Sequence, residues 1–329
     1  MSSGDALVTM PSRRPPLPVR FPGMPGRVVI TGIAGNLGKA LARLLHGETH
    51  LVGLDRRPFS ERPKDVEHHQ VDLRKRKAEE AFRRAPADAL IHLGIMHDPR
   101  MPISEVHRFN VVGTQKILEL CVQHGVRKVV VLSSADVYGP LPDNSNFLTE
   151  EMPLMAADRY SDVRDLIELD MLAQSFMWKH PEIETVLLRP VHIVGPTVRN
   201  APSNYLRLAR PITVLGFDPM VQLIHEDDAC RSLALALRPG LRGVYNVTGP
   251  GEVPLSAVLR ELGRTPVPVP HFLVRPLLRR AFDARLTSFP PEEVDHLQYL
   301  CAVDGSRFAR DAGWAPTHSM RETIRGVLG

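Results

Sequence analysis

The segment Thr31-Gly32-Ile33-Ala34-Gly35-Asn36-Leu37-Gly38 carries the spacing that points most directly to chemistry. Glycines at 32, 35 and 38 suit a tight turn, a close approach of backbone to a pyrophosphate, and packing of helix on strand. Free N–H groups at the start of the next helix, with its dipole, would hold the phosphates. Asp55 stands 55 − 38 = 17 residues after the last glycine. A carboxylate there accepts hydrogen bonds from both hydroxyls of an adenosine ribose and repels a 2′-phosphate. The chain is thus expected to bind a dinucleotide, NAD in preference to NADP. Arg56 and Arg57 follow at once and could soften that preference by reaching a phosphate.

Such a site forms only where a strand turns into a helix. Val28-Val29-Ile30 is a short apolar run, and Leu37, Ala40, Leu41, Leu44 and Leu45 have helical spacing behind it. Further strands are expected at Leu51–Leu54, ending at Asp55, around Val66–Val71, ending at Asp72, and at Ala89–Leu93, Val129–Leu132 and Thr185–Leu188. Helices are expected over Ile103–His124, stopped by Gly125, and over Tyr160–Lys179. Apolar strands alternating with helices imply parallel βαβ units. The expected class is α/β: a doubly wound (Rossmann) parallel sheet with a smaller C-terminal substrate-binding region. The expected division is a Pro/Arg-rich disordered arm over 1–26, a cofactor domain over 27–195 with 221–248 adding to it, and a substrate region over 196–220 and 249–329. In that last part helices are expected at Asp227–Leu237, Leu255–Leu262 and Arg321–Val327.

Composition narrows the function. With 329 residues, 41 Lys+Arg and 37 Asp+Glu, the net charge is only +4. No sustained basic tract is present, so nucleic-acid binding is not expected. Cys121, Cys230 and Cys301 form no paired framework, which predicts a reducing, cytoplasmic setting. No apolar run approaches the ~20 residues needed to span a bilayer. The 14 histidines are scattered, and His68-His69 and His92…His97 lack a carboxylate-supported spacing, so no metal is expected. Gly-x-Ser-x-Gly and P-loop signatures are absent.

Several segments together resemble the extended short-chain dehydrogenases/reductases, the NAD-dependent epimerase/dehydratase family. They are the TGxxGxxG turn, Asp72-Leu73, His92-Leu93-Gly94, Asn110 with Gly113-Thr114, and Ser133-Ser134-Ala135-Asp136-Val137-Tyr138-Gly139. Arg189-Pro190-Val191-His192, Leu223-Ile224-His225-Glu226-Asp227-Asp228 and Val244-Tyr245-Asn246-Val247 extend the resemblance toward the end of the chain. It implies that Gly32, Gly35, Asn36, Leu37, Gly38, Asp55, Arg56, Asp72, Leu73, Leu93, Gly94, Asn110 and Pro190 bind the cofactor.

The same resemblance places Ser134 at the family's catalytic serine and Tyr160 at its acid/base tyrosine. It makes Tyr138 a structural member of its turn. The family's lysine, four residues after the tyrosine, is here Arg164. An arginine keeps the charge that lowers the tyrosine's pKa and the donors that reach the nicotinamide ribose, but it is bulkier and forked. Ala135 and Asp136 stand where sugar dehydratases carry an Asp-Glu pair, so dehydration is disfavoured. His192 replaces a substrate-holding Asn, and could contact substrate, act as a second acid/base, or be structural.

Arg275, Arg279 and Arg280, amid the apolar residues of 270–285, could clamp an anion, such as a substrate phosphate or carboxylate. The stretch could also be an apolar lid, a membrane-surface segment, or a core-facing helix with solvated arginines. The resemblance further implies a homodimer through the two long helices. The resulting reading is an NAD(P)-dependent oxidoreductase or epimerase acting on a small molecule. A catalytically silent dinucleotide-binding sensor or scaffold is the alternative, and Arg164 is its main support.

Overall fold

The computed structural model describes residues 23–96, 101–158, 161–285 and 291–329. Most of the expected arm, and Tyr160 itself, lie outside the described residues.

Seven parallel strands form the central sheet: β1 (Arg27–Thr31), β2 (His50–Asp55), β3 (Glu67–Gln70), β4 (Ala89–His92), β5 (Lys128–Leu132), β6 (Glu184–Pro190) and, late in the chain, Gly243–Val247. Running from the late strand, the order is Gly243–Val247, β6, β5, β4, β1, β2, β3, so the winding reverses between β4 and β1. Alternate residues feed two cores. Val28, Ile30, Val130 and Val186 pack on one face, and Val29, Val129, Val131 and Leu187 on the other. Burial on both faces is why these strands read as continuous apolar runs. β3, with sequence Glu-His-His-Gln, is only partly buried and forms the sheet edge.

Helices cover both faces. α1 (Asn36–Leu45) buries Leu41, Ala42 and Leu45, and α2 (Glu80–Arg83) is a single turn. The expected helix over Ile103–His124 is present but interrupted. α3 (Ile103–His107) and α4 (Gly113–Gln123) are joined by a π-helical turn, Arg108–Val112. Such widened turns collect at functional positions, and this one carries Asn110. α5 (Ser161–Lys179) packs beside α4.

Beyond β6 the chain interleaves. A three-stranded sheet unites β7 (His192–Val194), β9 (Met220–His225) and β11 (Glu252–Pro254), and β8 (Ile212–Val214) pairs with β12 (Val267–Val269). The strand Gly243–Val247 (β10) returns to the main sheet. Among the helices here, α6 (Ala201–Arg207) follows β7, and α7 (Glu226–Ala236) packs on α1. α8 (Leu255–Glu261), α9 (His271–Asp283), α10 (Ser306–Ala312) and α11 (Met320–Arg325) complete the region. Its own core includes Tyr205, Leu206, Leu223, Val258, Leu259, Val274 and Ile324. Among the described residues no helix is long and apolar enough to cross a membrane.

Candidate active site

The reversal in strand order leaves a crevice beyond the C-terminal ends of β1 and β4, the position where open α/β sheets bind ligands. Gly32 turns the chain there with φ +73°, and a Cβ on it would lie 2.6 Å from the Leu93 carbonyl oxygen. A Cβ on Gly38 would meet the Ile33 Cα at 2.7 Å, so α1 can approach the turn only with glycine at that position. Gly35 caps α1 without any side-chain bond, and no acidic residue stands in the first turn. The N-terminal N–H groups thus face the crevice unopposed by negative charge, as an anionic pyrophosphate requires.

Behind this turn a buried polar relay holds the crevice open. The His92 ring lies between Thr31 Oγ1 (2.7 Å) and Thr114 Oγ1 (2.8 Å), and burial pushes its imidazole down to about 4. Thr114 in turn donates to the Asn110 carbonyl. The Asn110 side-chain amide accepts from Met96 N–H (2.7 Å) and donates to Met96 C=O (2.8 Å). Asn110 therefore positions the loop after β4, which forms the cavity wall.

At the β2 end of the crevice, a cavity of about 340 Å³ is lined by Leu54, Asp55, Arg56, Arg57, Leu73 and Gly94, among others. Asp55 is buried and accepts from Ala34 N–H (3.1 Å), and from Arg57 through its Nε (3.0 Å) and Nη2 (2.9 Å). A ribose reaching Asp55 must compete with this guanidinium, which is itself half-exposed and able to swing away. Arg56 lies over the Phe109 ring, 5.6 Å from its centre. Asp72 is paired with Arg74 (2.6 Å) beside the cavity, and that hydrogen bond holds its carboxyl below the usual range. Leu73, and not Asp72, forms the wall.

A second cavity of about 410 Å³ shares Gly32, Arg57, Leu93, Ile95 and Met96 with the first. It extends past Gly35, Asn36, Leu37 and Gly38 to Ser133, Ser134, Asp136, Pro190, His192 and His296. Ser134 donates to Asp136 Oδ2 (2.8 Å) and accepts from the Asp136 N–H (3.1 Å). His192 Nδ1 stands 3.6 Å from Asp136 Oδ1, and the His192 and His296 rings meet edge to face with centres 5.4 Å apart. Burial pushes the His296 imidazole down to about 4.

The strand ends carrying these groups are pinned by a buried ion pair. Arg189 donates from Nε (2.9 Å) and Nη2 (2.7 Å) to Asp170, which also accepts from Ser133 Oγ (2.7 Å). Arg189 Nη1 donates to the Tyr138 hydroxyl (2.7 Å), which donates to Asn246 (2.9 Å). Tyr138 is thereby committed to structure, and burial raises its pKa.

Two sequence candidates stand elsewhere. Arg164 is exposed, and α5 contributes Val163 and Leu166 to the cavity wall instead. Arg275 is bonded to both oxygens of Asp295 at 2.8 Å, tying α9 to the turn that carries His296, and does not line the cavity. His296 and Asn200 do line it, and neither sits in a motif that sequence reasoning could have singled out.

Comparison with known proteins agrees with this geometry. Residues 28–248 match the model of the NAD dependent epimerase/dehydratase family. An uncharacterised protein of Mycobacterium tuberculosis is 28% identical over 307 residues, covering 90% of this chain and 81% of its own. A UDP-glucose 4-epimerase of Dictyostelium discoideum is 26% identical, covering 61% and 64%. Among solved structures, MoeE5 in complex with UDP-glucuronic acid and NAD superposes with a TM-score of 0.73 at 21% identity, covering 92% of this chain and 97% of that one. The Thermus thermophilus UDP-glucose 4-epimerase complex with NAD gives 0.71 at 22%, covering 92% and 97%.

Proposed function

The chain belongs to the NAD dependent epimerase/dehydratase family, and on that premise we propose an NAD-dependent oxidoreductase or epimerase that acts on a hydroxyl or carbonyl of a sugar or comparable small molecule. The observation that carries the proposal is the pair of adjoining cavities. Their shared walls lead from Asp55, through the N-terminus of α1, to Ser134, Asp136 and His192. NAD is the cofactor of this family, and the residues present suit it: a glycine cradle, an uncapped helix start and a buried carboxylate. When bound, NAD takes a hydride from a carbon bearing a hydroxyl, or returns one to a carbonyl.

In this proposal Asp55 accepts from the adenosine ribose once Arg57 swings aside, and Arg56 covers the adenine edge. Ser134 redirects its hydroxyl from Asp136 to the substrate oxygen and orients it. Tyr160 moves the proton at that oxygen, and Arg164, exposed and outside the cavity wall, would have to turn inward to tune Tyr160 and reach the nicotinamide ribose. Pro190 and His192 shape the substrate end. The UDP-sugars bound by MoeE5 make nucleotide sugars the first substrates to test. Association of two copies through α4 and α5 is part of the same reading, supported by the exposure of Val122, Met171 and Trp178 on those helices.

A second reading, dinucleotide binding without turnover, is favoured by one observation: the Arg164 side chain is exposed and outside the cavity wall. The two separate in one experiment. The full chain, loaded with NAD, is incubated with UDP-glucose, UDP-glucuronic acid and simple alcohols and ketones while nicotinamide absorbance is followed. The enzyme reading expects either a net redox change or, for an epimerase, which returns the hydride to its substrate, an epimerised sugar product. Either signal is abolished by Tyr160→Phe and preserved or raised by Arg164→Lys. Bound NAD that stays in one redox state while every compound is recovered chemically unchanged supports the second reading.

A further inference from the structure

The rings of His225 and His318 stack with centres 3.9 Å apart and planes 18° from parallel. His225 closes β9 and caps α7, and His318 stands just before α11. The stack therefore joins the C-terminal helix to α7, which packs on α1. We propose that this pair is an acid-sensitive latch on the dinucleotide site: one proton, held on His318, keeps it closed, and a second, taken by His225, opens it. The proposal rests on the reading of the two adjoining cavities as that site.

Each ring has its own hydrogen-bonding role. His225 Nδ1 accepts from the Asp227 N–H (3.2 Å), one of the N–H groups that a helix start leaves unpaired. Neutral His225 thus carries its proton on Nε2. His318 Nδ1 is 3.0 Å from Asp228 Oδ2, and Asp228 also accepts from the Thr317 and His318 backbone N–H groups, both at 3.0 Å. The hydrogen bond to the buried Asp228 raises the pKa of His318, while burial and the neighbouring His318 lower that of His225.

The surroundings give a second proton little relief. Glu226 is bonded to Thr197, Glu322 to Ser319, and Arg231 stands 3.3 Å from Asp228. Asp227 Oδ2 is 3.4 Å from His225 Nδ1 and 3.7 Å from His318 Nε2, but that carboxylate is 62% exposed and screened by solvent. A Cβ on Gly326 would lie 2.9 Å from His225 Nε2, so the end of α11 blocks the ring from turning away. A proton on His225 Nδ1 turns the acceptor of the Asp227 N–H into a donor, which breaks the α7 cap and sets two cations face to face.

The route from this cap to the cofactor is short. Glu226, the first residue of α7, accepts from the Thr197 N–H (3.3 Å) and Oγ1 (2.6 Å). The Thr197 carbonyl accepts from Asn36 Nδ2 (2.6 Å), and Asn36 opens α1 and lines the larger cavity. Fraying of the first turn of α7 moves Glu226 and releases Asn36. The His225 contribution is complete above about 6.5, the ordinary histidine value, and is lost as pH falls through its lowered folded value. His318 has the opposite sign: its contribution is complete below about 6.5 and fades as pH rises through its raised folded value.

NADH fluorescence titrations and thermal melts of the full chain between pH 5 and pH 8 test the latch. The wild-type dissociation constant should rise at least about tenfold from pH 7 to pH 5, in line with the loss of one helix cap. His225→Asn supplies an N-cap acceptor that does not titrate, so it should keep the affinity at pH 8 and reduce the acid loss to less than about threefold. His318→Gln tests the same step without touching the cap. It removes the stacked cation, so the midpoint of the acid loss should move up by about half a pH unit or more. The acid fall in melting temperature should shrink in His225→Asn as well; His92 is common to both chains and cancels in that comparison. An acid loss as large in His225→Asn as in the wild type, or a midpoint that stays or falls in His318→Gln, overturns the latch. A wild-type chain that binds no NADH at any pH overturns the dinucleotide reading instead, and the latch then stands or falls on whether His225→Asn shrinks the acid fall in melting temperature.

Discussion

Replacing Asp170 by leucine is expected to destabilise the chain more than replacing Asp170 and Arg189 together. The Arg189 and Asp170 side chains are 1% and 0% exposed, so neither charge can turn to water when its partner is lost. Removing one member of a buried pair costs about 3–5 kcal/mol, because the other charge stays buried and uncompensated. At about 2 °C per kcal/mol, the lower end for a large domain, Asp170→Leu should lower the melting temperature by about 6–10 °C. Arg189→Leu should cost a similar amount. The double variant removes both charges and leaves the buried Ser133 hydroxyl and the part-buried Gln174 amide without their acceptor, a loss of about 1–3 kcal/mol chiefly from Ser133. Tyr138 keeps its bond to Asn246. Circular dichroism melts of the wild type, two single variants and double variant close the cycle. Costs that add in the double variant, or single variants within about 1 kcal/mol of wild type, would refute the claim that this pair pins the ends of β5 and β6.

Gly32→Ala should reduce NADH affinity at least about tenfold, measured by fluorescence titration, because φ +73° and the nearby Leu93 carbonyl force the turn to move. The pH dependence of stability should carry a signature of His92. Its folded pKa lies below the ordinary histidine value, so its stabilising contribution is present above about 6.5 and is lost as pH falls toward 4. His92→Gln should therefore shrink the difference in unfolding free energy between pH 7 and pH 5 by roughly 2 kcal/mol, read from urea melts; an unchanged difference would show that the ring is not buried neutral. Trp178→Glu, at a side chain 83% exposed on α5, should shift sedimentation from dimer to monomer without changing the melting of the monomer. A wild-type chain that sediments as a monomer sinks the dimer.

The strand–turn–helix that carries the three glycines was legible because its signals are local. The glycines, the helix behind them and Asp55 all belong to one βαβ unit, and each residue's place follows from a turn, a helix start or a strand end. The roles of other motif residues depend on partners distant in sequence. Asn110, expected at the cofactor, lines the larger cavity and also ties its amide to Met96, and His92 bridges Thr31 to Thr114. The uninterrupted helix expected over Ile103–His124 missed the π-helical turn that brings Asn110 to that loop. Nothing in hydrophobic periodicity distinguishes the two.

The substrate end was legible only in fragments. Ser134, Asp136 and His192 were singled out one by one, but His296 was not, and neither was the convergence of these groups. The residues lie 192 − 136 = 56 and 296 − 192 = 104 positions apart, on separate loops. Arg275, for which an anion clamp was one of several readings, is bonded to Asp295 beside His296. The sequence by itself determined the parallel sheet, its winding and the dinucleotide turn, because periodicity and glycine spacing act within a few tens of residues. The tertiary structure alone decided which ionisable groups share the cavity, because long-range packing of β7, the Pro291–Leu297 turn and the end of β5 sets those distances, and no local pattern encodes them.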